Sequence, residues 1–412
     1  MSKLISEIEK IDLKLITKNK EKIKNEIIET PVSRVASSYL DRLLPNSEIF
    51  MKLELFQHTG TFKARGALTV ANEIEKEKRK FGITAASAGN HAIAASWAAY
   101  KLGMSAKVVM RSTANPYRIS QAKMHKAEII IVDEIDEVFK TANELVDKES
   151  RTFIHPFEGL NTTLGTSGVG LEFIKSVPNL DAVIVSIGGG GLISGVAPAV
   201  KLINPDCKVF GVEPIGADTM YKSFKKGKTI QNVKINSIVD SLSPPMTLPF
   251  SFAVCKKFID EIVTVSDDEI CASMVILQEE TKLAVEPAAA ATLSALIGPL
   301  RDKLFNMKKG YWSGQVLEIK NPEKWNKYLE KYTSIAEKEI KNNTGNFKPV
   351  GMGEPAKMIQ GKELMYAALV EFNSLQDALD CYNSEDYQNA LKELGENPED
   401  TVIRSLAIIE GV

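Results

Sequence analysis

Apolar and polar positions along the chain follow two rhythms, with a change near residue 300. From residue 48 to residue 214, short apolar runs alternate with segments of helical spacing. Glu48–Phe56 alternates charged and apolar residues and predicts a strand, and Ala67–Lys78 predicts a helix. Gly82–Ala86, Ala106–Met110, Glu128–Val132, Ala182–Ile187 and Lys208–Val212 read as buried strands. Ala92–Leu102, Asn115–His125, Glu137–Glu149, Thr162–Ile174 and Ile193–Ile203 read as helices. Short strands spaced by helices predict a parallel α/β architecture, in which ligands bind beyond the carboxyl ends of the strands. Residues 1–30 read as charged helices forming a surface arm, and Ser33–Leu43 as a further helix. Past residue 307 the pattern becomes strand Tyr311–Ile319, a long helix from Pro322, strand Leu364–Glu371, helices Ser374–Cys381 and Glu385–Leu394, and strand Val402–Glu410. That is a compact α+β unit.

A chain of 412 residues suggests two or three domains. A net charge of −2 gives no attraction to nucleic acid or to an anionic membrane. Four scattered cysteines without a CxxC pair indicate neither a disulfide framework nor a zinc site. Met1–Lys24 has no apolar core, so no signal peptide is read there. Ala182–Val200 is uncharged, but Gly188–Gly191 and Pro198 break it into strand, loop and helix, not a membrane span. The expected compartment is the cytoplasm.

Three loops at strand-to-helix junctions carry the candidate chemistry. In Thr61-Phe62-Lys63-Ala64-Arg65-Gly66-Ala67, Lys63 stands at the mouth of a helix. The field there disfavours added positive charge, and a neutral lysine amine is the nucleophile that forms Schiff bases. Gly188-Gly189-Gly190-Gly191 lets backbone N–H groups approach a phosphate, a tight turn being the alternative. Ser87-Ala88-Gly89-Asn90-His91 offers a hydroxyl and free N–H groups to a carboxylate, and Asn90 an amide to a phenolate; a helix cap is the alternative. Together they imply an aldehyde cofactor with a phosphate handle, pyridoxal 5'-phosphate, and an amino-acid substrate.

With Gly211-Val212-Glu213-Pro214, these motifs make residues from about 30 to 304 resemble the fold type II pyridoxal-phosphate enzymes of the serine/threonine dehydratase family. The resemblance implies a two-subdomain parallel-sheet architecture over residues 1–306, with a small subdomain at about 52–155. It implies that Lys63 holds the cofactor and acts as base at Cα, that Phe62 packs on the ring, and that Asn90 holds O3′. Gly188, Gly189, Gly190, Gly191 and Leu192 would hold the phosphate. Ser87, Ala88, Gly89, Asn90 and His91 would face the substrate carboxylate. The implied reaction is dehydration and deamination of a 3-hydroxy amino acid such as L-threonine or L-serine. Racemases of the family carry a second serine where this chain has Ala88, which favours elimination over racemisation. A divalent cation is implied through Glu213 and the carbonyl of Ala217, but the third position falls at Thr219, with Asp218 one residue early.

The family closes its sheet with one more strand, ending in a residue that contacts the pyridine nitrogen. Here Gly298–Leu304 runs almost directly into Lys309-Gly310-Tyr311-Trp312, so that strand is expected to be missing, with Ser313 as a stand-in. A binding protein with impaired catalysis is therefore an alternative to the enzyme. Residues 307–412, through Lys309–Trp312 and Cys381–Tyr387, are similar to the uncharacterised DUF1330 family, which has a dimeric ferredoxin-like α+β barrel fold. That resemblance implies a homo-oligomer.

Overall fold

The computed structural model describes residues 2–45, 47–305, 309–341, 347–355, 363–372 and 374–411. Two compact units divide the chain, Met1–Ile297 and Gly298–Val412. The expected boundary at 306/307 lies outside the described residues. The division falls earlier, where the Arg301 guanidinium meets Asp377 of the second unit at 3.3 Å.

The first unit holds two parallel sheets. One has four strands in the order Glu128–Val132, Ala106–Arg111, Ile83–Ala86 and Thr152–Phe153, all within residues 52–155. Its strands are short and apolar because helices cover them, among them the small-residue helix Asn90–Lys101, buried from His91 to Ala99. The other has three strands, Ala182–Ser186, Lys208–Pro214 and Glu261–Val265. Helix Ile193–Lys201 packs on this sheet through Ile193, Val196, Ala197 and Val200. After Glu261–Val265 come helices Asp267–Thr281 and Pro287–Ile297; among the described residues no fourth strand joins the sheet. No helix among the described residues is long and apolar enough to cross a membrane.

The charged amino-terminal segment is not a free arm. Ile8, Ile11 and Ile16, from helices Ser2–Glu9 and Leu13–Ile23 and the turn between them, bury against Leu164, Leu171, Ala199, Phe250 and Val254. Asn19 adds a bond to the Leu164 carbonyl, at 3.0 Å. Two other local expectations change. Val32–Arg34 is a strand pairing antiparallel with Phe50–Lys52, and only Ser38–Leu43 of the expected helix is helical. The Lys63 helix runs Lys63–Asn72, not Ala67–Lys78. It begins earlier because its buried face is made of Ala64, Arg65, Gly66, Ala67 and Leu68. Helix Leu160–Ser176 lies so close that a Cβ on Gly165 would stand 2.6 Å from the Arg65 carbonyl oxygen.

Arg65 closes this core with charge. Its guanidinium grips Glu172 through Nη1 at 2.9 Å and Nη2 at 2.8 Å, and Glu54 through Nε and Nη2, both at 2.8 Å. Lys52 reaches Glu172 at 2.7 Å. With Lys20 3.8 Å from Glu172, three cations thus meet two carboxylates, and Arg65 is 1% exposed. The cluster ties strand Phe50–Lys52, the turn at Glu54, the Lys63 helix and helix Leu160–Ser176 together.

The second unit is an antiparallel sheet in the order Lys348–Gly353, Tyr366–Phe372, Gly310–Ile319 and Val402–Glu410. Its inner face buries Trp312, Val316, Val370 and Phe372 against Trp325, Tyr328 and Tyr387 of the helices. Its outer face exposes Leu369, Ile403 and Ile409. Ser313, expected as a stand-in at the pyridine nitrogen, belongs to this sheet, where it pairs with Leu369 and Ala407.

Removing one partner of a buried ion cluster strands the other charges. Arg65→Met should lower the unfolding free energy by about 3–5 kcal/mol. Urea denaturation reads this, and a loss below about 1 kcal/mol, the value of exposed pairs, would contradict the account.

Candidate active site

Two of the three loops stand at carboxyl ends of parallel strands, and the Lys63 loop follows the turns Glu54–Phe56 and His58–Gly60 after the antiparallel strand Phe50–Lys52. Ser87–His91 follows strand Ile83–Ala86, and Gly188–Leu192 follows strand Ala182–Ser186. Lys63 is the first residue of its helix, capped by Phe62. Its Nζ donates to the Pro156 carbonyl at 2.6 Å and lies 5.1 Å from the centre of the Phe62 ring. Burial pulls the amine down from the usual lysine range to about 8. The cause is loss of water around the ammonium, where the sequence had pointed to the helix field.

Ile154–Phe157, at the close of the small subdomain and without a motif of its own, joins the loops. The Ile154 carbonyl accepts from His91 Nε2 at 2.8 Å. The Pro156 carbonyl takes Lys63, and the Phe157 ring presses on the glycine loop, 2.3 Å from where a Gly189 Cβ would stand. His155 Nδ1 accepts from the N–H groups of Phe157 (3.2 Å) and Glu158 (3.0 Å). Phe62, Lys63, His91, His155 and Pro156 line a common cavity with Thr162 and Thr166. Both imidazoles are held neutral, with pKa values near 3, by burial first and then by the Lys63 charge. His91 Nδ1 is buried and has no hydrogen-bond partner.

The glycine loop suits a phosphate. Among the described residues, the N–H groups of Gly188 to Leu192 donate to no carbonyl or side chain, and helix Ile193–Lys201 follows them. Side chains there would clash, with Phe157 at Gly189 and with the Met220 methyl at Gly190, 2.9 Å away. In the other loop Ser87 Oγ accepts from the Gly89 N–H at 3.1 Å. The Asn90 amide donates to both oxygens of Glu286, at 3.0 and 2.9 Å.

At the cation site expected from Glu213 and the Ala217 carbonyl, the carboxylate already has backbone partners. The Glu213 carboxylate is fully buried, and its two oxygens accept from the N–H groups of Met220 (2.9 Å) and Tyr221 (2.6 Å) at the start of helix Thr219–Lys226. Burial raises its pKa to about 8. Asp218 is paired with Lys222 at 2.7 Å. One N–H donor on each oxygen anchors the start of helix Thr219–Lys226 to Glu213. Among the described residues no group of three or more His, Cys, Asp or Glu side chains is placed to hold a metal ion.

Comparison with known proteins decides the family. Residues 23–308 match the family described as pyridoxal-phosphate dependent enzyme. The chain belongs to that family. Residues 309–412 match a domain of unknown function, DUF1330. The phenylserine dehydratase of Ralstonia pickettii is 44% identical over 267 residues, covering 65% of this chain and 82% of that one. The L-threonine ammonia-lyase of Thermotoga maritima is 33% identical, over 69% of this chain and 72% of its own. The solved serine racemase of Dictyostelium discoideum superposes with a TM-score of 0.66 at 32% identity, covering 71% of this chain and 94% of that one.

As a pyridoxal-phosphate enzyme of fold type II, the protein uses pyridoxal 5'-phosphate, and its first unit has the mixed α/β architecture with parallel sheets shared by those relatives. The cradle of unspent N–H groups and the desolvated amine fit that cofactor's phosphate and aldehyde.

The Lys63 pKa has a sign that can be tested. Its folded value of about 8 lies below the unfolded value of about 10.4. The unfolded chain therefore binds more protons between these values, and stability rises with pH across that window. Below pH 8 the buried ammonium costs the cofactor-free protein stability. Lys63→Met should stabilise it at pH 7 by on the order of 1–3 kcal/mol, with the gain gone near pH 10.5. Denaturation at the two pH values reads the difference; an equal effect at both would contradict a desolvated amine.

Proposed function

We propose that this chain catalyses β-elimination from a 3-hydroxy amino acid, giving a 2-oxo acid and ammonia. The observation that carries the reading is the Lys63 amine, held near neutrality and joined through Ile154–Phe157 to a phosphate-type loop and a carboxylate-type loop. L-Threonine and L-serine are the first substrates to consider. The likeness to a phenylserine dehydratase adds 3-phenylserine.

Lys63 holds the cofactor and, once released, takes the proton from Cα. A pKa near 8 keeps a useful share of its amine free at neutral pH. When bound, the cofactor supplies an electron sink for the pair left at Cα. Phe62 would pack on the ring, and the N–H groups of Gly188–Leu192 would hold the phosphate. The Asn90 amide would hold O3′ through one of its two N–H bonds and keep Glu286 through the other. Ser87, with the N–H groups around Ala88, Gly89 and His91, orients the substrate carboxylate. Neutral His91 and His155 line the pocket without adding charge that would compete with Lys63. The proton Lys63 takes from Cα would pass to the β-hydroxyl, which leaves as water, and the released enamine would take up water to give the 2-oxo acid and ammonia. Ala88 has no group to exchange a proton, which supports elimination over racemisation.

A second reading has its own observation. The three-stranded sheet gains no fourth strand among the described residues, which favours a protein that binds cofactor and amino acid without turnover. The C-terminal unit fits a homo-oligomer, because Leu369, Ile403 and Ile409 lie exposed on one sheet face.

The cofactor-loaded protein should convert at least one of L-threonine, L-serine and DL-threo-3-phenylserine to its 2-oxo acid with an equal amount of ammonia. Lys63→Ala should remove both products. A cofactor absorbance band without product would favour the binding protein, and inversion of the recovered amino acid would favour a racemase.

A further inference from the structure

The mouth of the cleft between the two parallel sheets carries charges the proposed reaction leaves unused. Arg118 lies in helix Pro116–Met124, with its side chain 19% exposed. Its Nη1 donates to Asp240, from the three-residue turn Asp240–Leu242 beside the glycine loop. Its Nη2 stands 3.8 Å from Glu286, beyond hydrogen-bond range. Both Glu286 oxygens are already taken by the Asn90 amide. Among the described residues, Nε and Nη2 of Arg118 therefore keep unspent N–H donors.

The guanidinium that carries them stands beside the carboxylate-type loop. Arg118 Nη1 comes within 3.6 Å of where a Gly89 Cβ would sit, and Ser87 Oγ within 4.0 Å of the same point. Among the described residues, the N–H groups of Ala88, Asn90 and His91 make no hydrogen bond, and helix Asn90–Lys101 starts there. His91 is neutral, so it brings no cation to the loop. Asp240 holds the guanidinium by one edge and leaves another for a ligand.

We propose that Arg118 binds the α-carboxylate of the amino-acid substrate and sets the preference for an amino acid over its amide. The inference rests on the reading that an amino acid binds between these loops. It gives the loop N–H groups a charged partner, and it makes Arg118 a specificity-determining residue that acts on binding.

The test compares acid and amide on the cofactor-loaded full chain. L-Threonine, L-serine and DL-threo-3-phenylserine are titrated against the cofactor's absorbance, together with the amide of whichever amino acid shifts it. Arg118→Met should weaken the acid by about 10- to 100-fold, the range for a lost charge-assisted hydrogen bond, and change the amide by less than about twofold. Arg118→Lys should recover part of the acid's affinity. The Lys63 absorbance band and the thermal midpoint should stay as in the parent. An equal loss for acid and amide, no loss for either, or no spectral shift with any of the three amino acids would overturn the assignment. Binding without product would leave Arg118 its role and overturn the elimination reading instead. Product formed with an unchanged acid-to-amide ratio in Arg118→Met would do the reverse.

Discussion

A guanidinium sealed from water between two carboxylates fixes where the reactive helix begins. Arg65 cannot move without uncovering Glu54 and Glu172, and an unpaired charge at that depth costs several kcal/mol. Lys63 lies two residues earlier on the same helix, so its Cα is held by the cluster while its side chain is not part of it. The close approach at Gly165 prevents helix Leu160–Ser176 from backing away. Paired charge therefore positions, from behind, an amine whose own charge the site disfavours.

The front of the site works by the opposite means. Lys63, His91 and His155 share a pocket that removes their water, and all three are pushed towards their neutral forms. Anion-binding capacity comes instead from backbone N–H groups at two loops, which cost no net charge to bury. Ile154–Phe157 couples the parts, because its carbonyls take His91 and Lys63 while its aromatic ring packs on the glycine loop. Formal charge is confined to the cleft mouth, where Arg118, Asp240 and Glu286 meet.

The serine and glycine loops were legible in the sequence because each is a run of small or special residues directly after a short apolar strand, and the Lys63 loop because its residues open a helix. Glu128–Val132 and Val402–Glu410 could be read to the residue for the same reason, a clean apolar pattern between turns. Contacts between distant segments left no such trace. Arg65 and Glu172 are 107 residues apart in sequence, and nothing near either announces the other. The Lys63 helix was placed late because Lys63–Gly66 lacks apolar spacing; its packing face is an ion and a glycine. The amino-terminal helices read as a surface arm because lysine and glutamate outnumber the isoleucines that bury. Glu213 suggests a cation only through the family resemblance, and nothing nearby announces its bonds to the N–H groups of Met220 and Tyr221, seven and eight residues on. Lys348–Gly353 escaped because its glycines and proline mark a loop, although as an edge strand it tolerates them.

The central claim is that Lys63, and not another of the chain's lysines, carries the cofactor. Borohydride reduction of the loaded protein, followed by peptide mapping, tests it most directly. The account predicts one pyridoxyl group per chain, on the peptide containing Lys63. A label on a different lysine, or spread over several surface lysines, would contradict it.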